Sequence, residues 1–180
     1  MYKLILTVIL CALFILSAAS ARAEERLPIA ATFSGSFVST QFDTNGDGLP
    51  ANLSLVNAKS NLGQLSLQGL IENAISGPAT CANGNNGSET RLINGNIVGR
   101  FHSTEDLFFI QLSAQSTCFD PSANVFFINA TGNVTGGTGR FIQATGSVET
   151  KATAKNLMAD PTGHFFGAQS GTLRGTITLP

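Results

Sequence analysis

The chain has 180 residues, 43% of them hydrophobic and 12% charged, with 19 Gly, 3 Cys and no Trp. Such a length suits one domain with a real core and is too short for two large ones. Once Lys3 and Arg22 are set aside with an N-terminal export segment, acids outnumber bases 11 to 8, which excludes a protein that binds nucleic acid by neutralising phosphates.

The export segment comes first in the chain. Lys3 leads into an apolar run from Leu4 to Leu16, and small residues follow, ending in Ala21-Arg22-Ala23. This is the signal-peptidase pattern, and the run is shorter than the roughly 20 residues that span a bilayer. Residues 1–23 are therefore predicted to be removed, leaving a single domain over 24–180. The mature chain is predicted to be exported, secreted or periplasmic, without a membrane span. Cys11 departs with the segment, and Cys81 and Cys118 remain as an even pair in an oxidising compartment. They are predicted to form a disulfide, since a redox pair wants a spacing such as C-x-x-C.

From residue 29 onward, apolar and small polar residues alternate with period two, the pattern of half-buried strands. The alternation predicts strands near 29–42, 51–58, 62–75, 89–101, 106–115, 124–135, 140–154 and 164–179, with 51–58 alternatively a helical turn after Pro50. Turn chemistry fills the breaks: Asn45-Gly46-Asp47-Gly48, Asn83 to Gly87, Asp120-Pro121, and Gly136-Gly137-Thr138-Gly139. Gly and an apolar residue recur two apart, as in Ser34-Gly35-Ser36-Phe37 and Ser170-Gly171-Thr172-Leu173. Glycine inside a strand weakens it, so repeated use predicts bends of the kind that coil a sheet into a barrel. The expected fold is an all-β, eight-stranded antiparallel barrel, with a β-sandwich as the alternative.

Turning the Gly-plus-apolar face inward predicts a core of Phe33, Phe37, Leu65, Leu67, Ile71, Ile93, Ile97, Phe101, Phe108, Ile110, Leu112, Phe126, Ile128, Val134, Val148, Leu173 and Ile177. Glu72, Arg100, His102, Glu149 and Arg174 then face outward, and the interior is aromatic, aliphatic and largely uncharged.

The segment Asn133-Val134-Thr135-Gly136-Gly137-Thr138-Gly139-Arg140-Phe141, continuing to Ala144-Thr145-Gly146, resembles a hairpin of the barrel shared by allene oxide cyclases and plant dirigent proteins. The chain also resembles small secreted bacterial proteins of unassigned function carrying the same hairpin and a D-x-N-G-D-G turn. The resemblance implies an antiparallel barrel, often oligomeric, with an apolar cavity and with Phe141 plugging one end after a Gly-rich turn. It carries no catalytic residues across.

If successive strands are neighbours, the loops holding Asp43 to Asp47, Cys81, Cys118 to Asp120, and Met158 to Gly163 share one end of the barrel. Asp43-Thr44-Asn45-Gly46-Asp47-Gly48 matches the first half of an EF-hand loop, so Asp43, Asn45 and Asp47 are candidate calcium ligands. Ser54 stands where the twelfth-position Glu would be, and Asn-Gly and Asp-Gly are also common hairpin turns, so a plain turn is the other reading. No further cofactor is expected. His102 and His164 read as surface residues, and no nucleophile or phosphate-loop motif is present. Leu107, Phe109, Val125 and Phe127 are expected to point outward as a joint apolar patch, a candidate homo-oligomer interface. The leading reading is an exported, non-enzymatic barrel that binds a small apolar ligand or assembles with itself. A cavity enzyme of the isomerase or cyclase type is the alternative, and it would bring Arg91 and Gln169 together inside the cavity beside an acid.

Overall fold

The computed structural model describes residues 24–161 and 164–180; the predicted export segment, residues 1–23, lies outside them. The fold is all-β, with strands β1 (Glu25–Ser39), β2 (Asn52–Ser60), β3 (Gly63–Thr80), β4 (Asn86–Phe101), β5 (Leu107–Asp120), β6 (Val125–Gly137), β7 (Thr145–Ala159) and β8 (Phe165–Leu179). Each strand pairs antiparallel with the next, and β1 pairs with β8 from Glu25–Leu179 to Val38–Phe166, closing the barrel. The segment after Pro50 is a strand, not a helical turn, since β2 pairs along its length with both β1 and β3.

Inward residues follow the expected parity. Ile29, Leu65, Phe101, Phe108, Ile110, Leu173 and Ile177 are fully buried, whereas Ile93 is 45% exposed. The register gives the reason: Glu72 pairs with Asn94 and Asn73 with Leu92, so Ile93 is the extra residue of a bulge and points outward. Leu92 takes its place against the core.

Phe101, Phe108 and Phe141 close one end, with Phe141 stacked on Phe101 at 5.4 Å and 11°. Phe141 gets there through a 3-10 turn over Gly139–Phe141, entered through Gly136 at φ 123° and Gly139 at φ 53°. That turn, held by the Phe141 N–H on the Thr138 carbonyl and the Ala144 N–H on the Phe141 carbonyl, delays β7 to Thr145 rather than the expected residue 140. Gly137 lies against the Leu107 carbonyl and Phe141, and Thr138 exchanges hydrogen bonds with Leu107 through its backbone and its hydroxyl. The Arg140 guanidinium covers the stack, 5.0 Å and 4.8 Å from the ring centroids of Phe101 and Phe141.

The opposite end carries the long loops. Cys81 and Cys118 meet there in a disulfide, their Cα atoms 5.4 Å apart. No helix among the described residues is long and apolar enough to cross a membrane.

Candidate binding cavity and the loops at its mouth

The Phe cluster fills only one end of the barrel. Above it a narrow void of about 80 Å³ runs between Leu67, Ile97, Leu112 and Leu173. It meets a wider one of about 240 Å³ toward the disulfide end. Both are lined by Ser54, Ile71, Gln115, Ile128 and Gln169, so they adjoin as two parts of the barrel lumen. Phe37, Phe126 and Phe165 cover one side of the wider part, with ring centroids 5.7–6.1 Å apart. A Cβ on Gly167 would lie 2.2 Å from the Phe37 ring, so glycine there leaves room for that ring against β8.

The other side of the wider part is polar but uncharged: Asn52, Asn73, Thr90 and Thr117 line it together with Gln115 and Gln169. Among the described residues, no ionisable side chain lines either part of the lumen. The Gln169 amide donates to the Ser36 carbonyl at 2.8 Å and to the Ser54 hydroxyl at 2.6 Å. A backbone carbonyl only accepts, so the Gln169 amide is oriented with nitrogen outward and Oε1 turned from that contact. Gln115 donates to Asn73 Oδ1 at 3.2 Å and to Thr117 Oγ1 at 3.0 Å.

Of this polar ring, the sequence placed only Gln169 in the cavity, and only under the enzyme alternative. Gln169 shares a face with Gly167 and Gly171, and Asn73 with Ile71, so alternation alone could have placed both inside. Thr117 could not be placed so, because the extra residue Ser113 shifts the phase of β5. Arg91 and Gln169 do not meet: Gln169 lies in the lumen, while Arg91 lies outside with its side chain 72% exposed, 3.5 Å from Glu89. Hydroxyls of Ser116 and then Ser76 hold the Glu89 carboxyl below its ordinary range.

At the mouth, Asp43 organises the 43–48 loop. Its Oδ1 accepts the N–H groups of Asn45, Gly46 and Asp47, and its Oδ2 that of Gly48 at 2.7 Å. These bonds, that of Gly48 foremost, depress its pKa. Asn45 and Asp47 exchange hydrogen bonds in turn, Nδ2 to Oδ2 and N–H to Oδ1. The structure adds a third carboxylate. Glu72, expected in solvent, is fully buried because the loop folds over its outward face. Thr44 donates its N–H and hydroxyl to the two Glu72 oxygens at 3.3 and 2.5 Å. Oxygens of Asp43, Asp47 and Glu72 come within 4.8 Å of one another. Only tertiary structure could supply Glu72, which lies on another strand.

Beside the disulfide, buried Asp120 accepts the side-chain amides of Asn83 at 2.7 Å and Asn85 at 2.8 Å, and both the hydroxyl and N–H of Ser122. The Ser122 hydroxyl, followed by the two amides, holds its pKa far below the usual carboxylate range. Of the histidines, His102 is exposed, and His164 Nδ1 lies 3.3 Å from Asp160 Oδ2.

The expected outer patch does not form. Phe109 pairs with Gly136 and Phe127 with Cys118, so the Leu107/Phe109 and Val125/Phe127 pairs lie at opposite ends of the β5–β6 ladder. An antiparallel register sets the start of one strand beside the end of the next. What the register does align is Phe166, Val38, Leu53 and Leu70 in one outward row, with Leu55, Val98 and Phe109 in the adjoining row.

No protein-family model and no curated protein matches the chain. Among solved structures it aligns with the pterocarpan synthase dirigent protein GePTS1 at 12% identity over 86% of this chain and 87% of that one, with a TM-score of 0.26. It also aligns with the Pseudomonas aeruginosa MucA/MucB complex at 9% identity over 78% of this chain and 88% of that one, with a TM-score of 0.13. At such TM-scores neither alignment bears on function.

Proposed function

We propose that this protein is an exported, non-enzymatic barrel that binds a small, uncharged, largely apolar molecule in its lumen. One observation carries the reading: two adjoining voids inside the barrel, from Leu67 to Phe126, walled by apolar groups and lined by amides and hydroxyls but no ionisable side chain. Burying a charge there would go uncompensated, so the site favours neutral ligands. The test is titration with N-phenyl-1-naphthylamine, a neutral fluorophore, followed by its emission. Ile128→Trp, which fills the junction of the two voids, is expected to weaken binding by at least about tenfold. Equal affinity in the two proteins places the probe elsewhere and sinks the reading.

A second reading concerns the mouth. Calcium held by Asp43, Asn45 and Asp47 is supported by the arrival of Glu72, which stands close to both aspartates although it lies outside the loop. Such an ion would fasten the 43–48 loop to β3.

A further inference from the structure

The barrel wall is interrupted on one side. The β4–β5 ladder holds one register throughout, yet it stops at Arg91–Ser116 and resumes only at Asn96–Gln111. Residues 92–95 and 112–115 face each other without pairing. The cause lies on their other edges. Ile93 is the extra residue of a bulge against β3, and Ser113 the extra residue of one against β6. Each bulge bends and twists its own strand, and two at the same level draw β4 and β5 apart.

An outer groove of about 450 Å³ adjoins this split, with Arg91, Ser116, Glu149 and Lys151 around it. Gln115, Ala130 and Thr150 line both that groove and the lumen, so a single layer of side chains separates them. Of the three, Gln115 is the long, movable one. It is held across the inner side by its bonds to Asn73 and Thr117, neither of which is a backbone group. At the barrel ends, Phe101, Phe108 and Phe141 fill one, and Phe37, Phe126 and Phe165 cover one side of the other.

We propose that the β4–β5 split is a lateral entrance to the lumen for small neutral apolar molecules, and that Gln115 is its gate. This rests on the lumen being the binding site. Swinging the Gln115 side chain aside breaks two side-chain hydrogen bonds and leaves the barrel ladder untouched, so opening needs no unfolding of a strand.

The experiment is stopped-flow mixing of the folded protein with N-phenyl-1-naphthylamine. Ala114→Trp places a bulky ring at the exposed side of the split. It is expected to slow association and dissociation together by about tenfold, with the equilibrium affinity nearly unchanged, as an access barrier does. Gln115→Ala removes the gate and is expected to speed association, a gain that a poorly folded variant would not give. Ala159→Trp, exposed beside Phe165 at the disulfide-end rim and outside the lumen lining, serves as the opposite control and is expected to leave the association rate near wild type. Slowing by Ala159→Trp, with both split variants at the wild-type rate, places entry at the mouth and overturns the entrance while keeping the lumen site. Probe binding that ignores Ile128→Trp, or no binding at all, overturns the lumen reading and the entrance with it.

Discussion

Thr44 caps both carboxylate oxygens of Glu72 from a loop twenty-eight residues away, and this contact turns an outward strand residue into a buried one. A buried carboxylate survives only when its oxygens are satisfied. Thr44→Val removes the hydroxyl partner and is expected to destabilise the fold by about 1–3 kcal/mol, read from urea unfolding. An unchanged midpoint would show that water replaces the hydroxyl.

The same cluster gives the calcium reading its test. Millimolar calcium is expected to raise the Tm of the wild-type protein and to leave Glu72→Gln and Asp47→Asn unmoved. A wild-type Tm indifferent to calcium and a flat calorimetric titration would reduce the loop to a turn held by Asp43.

The Cys81–Cys118 bridge closes a loop with a sequence separation of 37. Chain entropy assigns such a bridge about 3–4 kcal/mol. The Cys81→Ala/Cys118→Ala double variant is expected to lose that amount in denaturant while keeping its far-ultraviolet dichroism, since Asp120 still joins Asn83 and Asn85 across the same loops.

Asp120 predicts the acid limb of stability. Its folded pKa lies below the unfolded value, so its contribution is complete above the usual Asp range near 4 and is lost as pH falls through the folded value. Asp43 and Glu89 are shifted in the same direction and add to the slope. Asp120→Asn is expected to lower stability at neutral pH and to flatten its fall below pH 4 by about one bound proton, measured by urea unfolding across pH. A slope identical to wild type would contradict this.

A Cβ on Gly99 would lie 2.0 Å from the Phe108 ring, which is fully buried against Phe101 and Phe141. Gly99→Ala is expected to cost about 1–3 kcal/mol through overpacking, with partial recovery when Phe108→Leu is added. Additive losses in the pair would argue against the contact. On the outer wall, Leu53→Lys at the centre of the Phe166–Val38–Leu53–Leu70 row is expected to yield monomers in sedimentation velocity, with wild type associating at micromolar concentration. A monomeric wild type would remove that row as a contact surface.

Period-two alternation by itself determined that the chain is all-β, how many strands it has and which face of most of them turns inward. Facing is a local property, set residue by residue by the pleat. The disulfide was legible too, because only two cysteines, Cys81 and Cys118, follow the N-terminal apolar run. Tertiary structure decided the rest. Bulges at Ile93 and Ser113 change the phase within a strand, and no local signal marks them, so they put Ile93 outside and Thr117 inside and part β4 from β5. Loop closure buried Glu72, and antiparallel register separated Leu107 and Phe109 from Val125 and Phe127. Each of these depends on which strand lies beside which and at what offset, and alternation is blind to offset because a shift by two residues leaves the pattern unchanged.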